Sequence, residues 1–229
     1  MTKLIIQIPC FNEEDTLPIT LAALPTHIEG IDVIERLVID DGSHDKTSEI
    51  AAQHNVEHII KFSKNRGLAR AFMAGIEGAL EAGADFIVNT DADNQYCADD
   101  IKTILIPIIS GNAEIVVGAR PINNISHFSP IKKYLQRIGS WVVRLVSGTK
   151  IDDAPSGFRA FSAAAAMKIN VFSEYTYTLE TIIAAGQQGI TITSVPIRTN
   201  GQLRQSRLIK SIPSYVWRSI VTIFRIFLY

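Results

Sequence analysis

Leu37-Val38-Ile39-Asp40-Asp41-Gly42-Ser43 passes within a few residues from an apolar run to an acidic turn. Consecutive aliphatic side chains, with no polar alternation, read as a strand buried on both faces. Gly42 eases the turn and Ser43 or Asp45 can open a helix, which the spacing predicts to run to Gln53. Upstream, Leu4 to Ile8 is a similar run stopped by Pro9, and residues 13–24 carry Leu17, Leu21 and Leu24 at helical spacing. Downstream follow a strand around His58-Ile59-Ile60, a helix over residues 67–82 and a strand at Phe86-Ile87-Val88. This β-α-β-α order predicts an α/β fold, a Rossmann-like and mostly parallel sheet with helices on both faces. Polar loops gather at the strand ends, the edge where open sheets of this kind bind ligands.

The alternation changes after Ile115-Val116-Val117-Gly118. An amphipathic stretch over residues 131–146 reads as an insert or flap beside the sheet. Ser156-Gly157-Phe158-Arg159-Ala160-Phe161 leads to helical stretches at residues 163–168 and 179–186, and residues 190–197 alternate like a strand. Neither an internal repeat nor a low-complexity tract is visible.

With 229 residues, 47% hydrophobic and 20% charged, the chain suits one sizeable core rather than a disordered segment. Cys10 and Cys97 are too few for a disulfide framework or a zinc site, which fits a reducing compartment. The net charge of −1 hides a division. Residues 1–115 hold 8 Lys/Arg against 19 Asp/Glu, a balance of −11, whereas residues 116–229 hold 14 against 4, a balance of +10. A cationic second half calls for an anionic partner: nucleic acid, a phosphorylated substrate or an anionic leaflet. The start of the chain lacks a signal-peptide pattern, and no apolar run reaches the roughly 20 residues of a membrane span.

Asp91-Ala92-Asp93 follows a strand, so two carboxylates project from its end toward the ligand edge. Oxygen donors so placed suit Mg²⁺ or Mn²⁺ shared with substrate phosphates; the tripeptide alone equally suits an acidic capping loop. Asp40 and Asp41 close another strand and can accept from a base N–H or a ribose hydroxyl, or simply form a turn. Pro9-Cys10-Phe11-Asn12-Glu13 offers a ring face and a carboxylate at a third strand end.

Pro9-Cys10-Phe11-Asn12-Glu13, Ile39-Asp40-Asp41-Gly42-Ser43, Asn65-Arg66-Gly67, Asp91-Ala92-Asp93-Asn94-Gln95, Gly118-Ala119-Arg120 and Ser156-Gly157-Phe158 occur in this order. Together they resemble family 2 glycosyltransferases of the GT-A fold, most of all the polyprenyl-phosphate (dolichyl-phosphate) sugar synthases. The resemblance covers nearly the whole chain. It implies that Pro9, Phe11, Glu13, Ile39 and Asp41 line the nucleotide pocket and that Ala92 meets the donor through its backbone. Asp91, Asp93 and Gln95 become ligands of Mg²⁺ or Mn²⁺, with Asp93 catalytic. Arg120, Lys133 and Arg137 become contacts of the acceptor phosphate, although Ser129-Pro130-Ile131-Lys132-Lys133 departs from the glycine-rich flap of archaeal and eukaryotic members. Arg204 and Arg207 resemble a late basic loop that folds over the bound diphosphate.

The implied activity is inverting transfer from a UDP- or GDP-sugar to an undecaprenyl or dolichyl phosphate on the cytosolic face of a membrane, without nucleic acid as a partner and with homo-oligomerisation left open. An ionised phosphate nucleophile needs no base; a glycan hydroxyl acceptor does, and Asp153 is then the candidate. A nucleotidyltransferase would need a basic glycine-rich loop near the start, which residues 9–15 lack. A non-catalytic binding module would have no use for the paired carboxylates. Residues 1–211 are thus expected to form the catalytic domain. Residues 212–229, with Trp217, Arg218, Arg225 and Tyr229, are expected to form an amphipathic interfacial helix, peripheral as it stands or leading into membrane helices.

Overall fold

The computed structural model of the chain describes residues 1–122, 130–172, 177–201 and 203. The elements are β1 (Lys3–Cys10), α1 (Leu17–Ala23), β2 (Val33–Asp40), α2 (Thr47–Gln53), β3 (His58–Lys61), α3 (Leu68–Glu81) and β4 (Phe86–Asn89). After a single 3-10 turn come α4 (Ile101–Ile109), β5 (Ile115–Ala119), α5 (Pro130–Ser147), β6 (Arg159–Ser162), α6 (Ala163–Lys168), α7 (Thr178–Gln187) and β7 (Ile192–Pro196). They build one sheet in the order β3-β2-β1-β4-β6-β5-β7. β6 runs antiparallel to both β4 and β5, while every other pairing is parallel.

The period of two in a strand sends Leu4, Ile6 and Ile8 of β1 to one face and Ile5 to the other. The first set packs with Leu17, Leu21, Ile101, Ile104 and Leu105 of α1 and α4. Ile5 joins Leu37, Ile39, Phe72 and Ile76 beneath α3. Both faces are therefore covered, as the near-continuous aliphatic runs require. Gly75 lets α3 lie close to the sheet: a Cβ there would stand 2.3 Å from Gln7 Oε1 and 2.7 Å from Ile39 Cδ1.

The sequence reading contains neither α4 nor β6. Pro107 lies inside α4, where it interrupts an otherwise helical apolar pattern. β6 is a four-residue strand whose place between β4 and β5 comes from pairing with both neighbours. The segment expected as an insert is α5, which packs on α7 and buries Ser140 and Val143. Helices α1 and α2 begin later than their spacing suggests. Glu13 O takes the N–H groups of Thr16 and Leu17 in a turn before α1, and Asp45 Oδ1 takes the Thr47 N–H before α2. The expected helix over residues 212–229, with Arg204 and Arg207, lies outside the described residues.

Candidate active site

The C-terminal ends of β1, β2, β4 and β5 and the start of the antiparallel β6 meet at one edge of the sheet. At the β2 end, Asp41 is buried and holds the loop that follows β3. Its Oδ1 accepts the Arg66 N–H at 2.6 Å and its Oδ2 the Gly67 N–H at 2.9 Å. Burial pushes the Asp41 carboxyl above its ordinary pKa, with those two N–H groups pulling the other way. Gly42 sits at φ 72°, and a Cβ there would lie 2.4 Å from the Lys64 carbonyl carbon, so the close approach of the loop requires glycine. Asp40 is spent locally on the Ser43 N–H and the Ser48 hydroxyl.

Pro9, Phe11 and Glu13 border the same edge from β1. Glu13 is buried, and its Oε2 accepts from the Thr16 hydroxyl at 2.7 Å. Asn12, at φ 55°, ties this segment to the β2 turn: its N–H donates to Ser43 Oγ and its Oδ1 accepts the His44 N–H. Ile39 is fully buried under α3, where it supports the β2 end from beneath.

The β4 end carries Asp91 and Asp93, both half-buried. Between them the Ala92 carbonyl accepts from the Thr20 hydroxyl at 2.9 Å, which anchors the backbone to α1. Asp93 Oδ1 accepts the Gln95 N–H at 3.2 Å, and Gln95 O accepts the Asn200 N–H at 2.8 Å. Asp91 leans on Gly157: a Cβ at Gly157 would meet its carboxylate oxygens at 3.1 and 3.4 Å and the Tyr177 hydroxyl at 2.9 Å. Gly157 is gripped on both sides, its N–H donating to Tyr96 Oη at 3.0 Å and its carbonyl accepting from Asn89 Nδ2 at 2.8 Å. Asn89 also donates to Tyr177 Oη and accepts from Gln7. Burial, with the Asp91 charge next in weight, raises both tyrosine pKa values, so both phenols stay protonated, and Tyr177 donates to Gly157 O at 3.3 Å.

Arg120 and Asp153 face each other at the β5 end. Arg120 Nε reaches Asp153 Oδ2 at 2.7 Å and Nη2 reaches Oδ1 at 3.0 Å. The Arg120 N–H also donates to Oδ2 at 3.2 Å, and Gln136 Nε2 of α5 donates to Oδ1 at 3.0 Å, so the helix bearing Lys133 and Arg137 is tied to this pair. Burial opposes the Arg120 charge, but Asp153, with Tyr96 and Asp91 adding to it, outweighs burial and holds the pKa above the usual arginine value.

Asp91 and Asp93 present hard oxygen donors at one strand end, and this suits Mg²⁺ or Mn²⁺, ions that leave positions for substrate phosphates. Among the described residues no group of three His, Cys, Asp or Glu forms a closed cage, so remaining positions would fall to Gln95 or the substrate. The network of Gln7, Asn89, Tyr96, Tyr177 and Arg159 behind these carboxylates escapes sequence reading, because side chains that bond directly, Gln7 with Asn89 and Asn89 with Tyr177, stand 82 and 88 positions apart. Only the position of Asn89 immediately before Thr90-Asp91 pointed toward it.

Residues 5–170 match the glycosyl transferase family 2 description. The UDP-N-acetylglucosamine--dolichyl-phosphate N-acetylglucosaminyltransferase of Methanococcus voltae is 34% identical over 217 residues, covering 84% of this chain and 83% of that protein. The undecaprenyl-phosphate mannosyltransferase of Micrococcus luteus is 28% identical over 200 residues, covering 83% of this chain and 80% of its own. Among solved structures, glucosyl-3-phosphoglycerate synthase from Mycobacterium tuberculosis, in complex with Mn²⁺, UDP and glucosyl-3-phosphoglycerate, aligns with a TM-score of 0.75. That alignment covers 97% of this chain and 80% of the synthase at 15% identity, which supports the common fold. A family match over most of the chain, on a sheet that brings the motif residues to one edge, establishes that this chain belongs to glycosyl transferase family 2.

Proposed function

We propose that this chain moves a sugar, with inversion, from a UDP- or GDP-sugar to a polyprenyl phosphate at the cytosolic face of a membrane. The observation that carries the acceptor class is the Arg120–Asp153 pair: both Asp153 oxygens are taken by Arg120, with Gln136 sharing one. Asp153 would serve a hydroxyl acceptor as base only after that buried pair opened. A phosphate nucleophile arrives ionised and needs the cation instead. Two relatives, 34% and 28% identical, are named for transfer to dolichyl and undecaprenyl phosphate, and they support the same reading.

In this mechanism Pro9, Phe11, Glu13 and Asp41 hold the nucleotide at the β1 and β2 ends, with Ile39 beneath them. The Ala92 backbone, fixed by Thr20, borders the donor. Asp91, Asp93 and Gln95 would hold Mg²⁺ or Mn²⁺, which when bound neutralises charge on the departing diphosphate. Arg120, Lys133 and Arg137 orient the acceptor phosphate in line with the donor carbon. Arg204 and Arg207 would cover the diphosphate from the late basic loop.

A membrane as partner is supported by α5. Ile131, Tyr134, Ile138, Trp141 and Leu145 are exposed along one face of this helix, opposite the buried Ser140 and Val143. The helix contains basic residues and no acidic one, a pattern that suits an anionic leaflet. No helix among the described residues is long and apolar enough to cross a membrane. The deciding experiment is a transfer screen with UDP- and GDP-sugars, Mg²⁺ or Mn²⁺, and undecaprenyl phosphate, dolichyl phosphate or a glycan hydroxyl as acceptor. Turnover confined to hydroxyl acceptors would replace this reading with the alternative of the same fold.

A further inference from the structure

Arg159 is the largest fully buried side chain of the described residues, and its guanidinium has no carboxylate partner among them. Nε donates to Ser156 O at 2.8 Å, Nη2 donates to Ala154 O and Thr178 O, each at 2.8 Å, and Nη1 donates to the Thr181 hydroxyl. The Tyr177 ring lies 5.7 Å from its guanidinium carbon. Burying a cation without a counter-ion is costly, and this one stands at the first turn of α7, the end of a helix whose dipole disfavours positive charge. A neutral side chain could bridge the same carbonyls at lower cost. The charge therefore calls for a role of its own.

The nearest acidic group in the chain direction is Asp153, one residue before the Ala154 carbonyl that Arg159 binds. Asp153 is itself consumed by Arg120. Paired alone, Arg120 and Asp153 would cancel and present little field to an anion. With Arg159 behind them, the three side chains sum to one positive charge, kept out of water where Coulomb interactions weaken least. Burial brings the Arg159 pKa down to about 10, with Tyr177, Tyr96 and Asp153 countering it, so the group remains charged at neutral pH.

We propose that Arg159 is a positioning residue whose buried charge, acting through Asp153, leaves Arg120 with net attraction for an anionic acceptor, while its fork fixes the turn at residues 154–157. This rests on the phosphate-acceptor reading above. A merely structural staple would need the hydrogen bonds alone; the proposed role needs the charge as well.

The test compares R159K, which keeps the charge and loses the fork, with R159Q, which keeps hydrogen bonding and loses the charge. T181A removes one bond and leaves the charge. Each full chain is assayed for transfer to undecaprenyl phosphate in detergent micelles, for UDP binding by calorimetry and for thermal unfolding. R159Q should raise the acceptor KM on the order of tenfold with UDP affinity unchanged. R159K and T181A should melt earlier while holding the acceptor KM within about twofold of the parent. Equal acceptor KM in R159K and R159Q, or failure of both to fold, would assign Arg159 to structure alone and overturn the proposal. Absence of transfer to undecaprenyl phosphate by the parent chain itself, with transfer to a hydroxyl, would instead remove the reading on which it rests.

Discussion

Arg120 and Asp153, 33 positions apart, form a two-point ion pair in which Asp153 is 1% exposed. The pair links the end of β5 to the segment before β6 and, through Gln136, to α5. Removing one partner strands the other charge in the interior. Arg120→Met should therefore cost about 3–5 kcal/mol of stability, measured by urea unfolding. A loss below about 1 kcal/mol would mean that Asp153 finds water or another donor once Arg120 is gone.

Asp93→Asn should behave oppositely. Asp93 is half-buried at a strand end and lies outside both main cores, so folding should change little. Transfer should fall on the order of 10²-fold or more, and a chelator should do the same to the parent protein. Near-normal transfer in the presence of chelator would remove the metal assignment.

Gly157→Ala tests the contact that seats Asp91. The new methyl would press on the Tyr177 hydroxyl and on both Asp91 oxygens. Tyr177 is stacked on Phe72 with centroids 3.8 Å apart, so the methyl displaces the Asp91 carboxylate as well as the ring. Turnover should drop and the Mn²⁺ concentration needed for half-maximal activity should rise several-fold, with a stability loss of about 1–3 kcal/mol. An unchanged metal requirement would separate Gly157 from Asp91.

The raised pKa of Asp41 gives a pH dependence of defined sign. The folded protein binds this proton more tightly than the unfolded chain, so the Asp41 contribution to stability is complete below its unfolded pKa. It is lost as pH rises through the folded value. Asp41→Asn abolishes the titration and adds a roughly constant penalty, because an amide nitrogen must then face the Arg66 or Gly67 N–H. Unfolding midpoints followed across the acid range should therefore show the parent's advantage over the variant shrinking as pH rises. A constant difference would place the Asp41 pKa at its ordinary value.

Much of this molecule is legible in one dimension. Aliphatic runs at β1, interrupted only by Gln7, and at β2 and β5 announce buried parallel strands, since only a sheet covered on both faces tolerates them. Local stops such as Pro9 and Asp41-Gly42 mark the edge at which ligand chemistry gathers, and the Asp91-Ala92-Asp93 carboxylates follow a strand end directly. β6 was hidden because four residues between two established strands carry little pattern of their own. α4 was hidden by Pro107.

What the chain order by itself determined was the sheet, its ligand edge and the acidic groups on it, because strand periodicity and turn chemistry act between near neighbours. What only the tertiary structure decided was which of those groups remain available. Asp153 reads in sequence as a candidate base, yet folding delivers Arg120 and Gln136 to its oxygens from 33 and 17 positions away. The brace on Gly157 and the buried charge of Arg159 likewise arise from chain closure over long separations, which no local spacing encodes and which burial then makes energetically decisive.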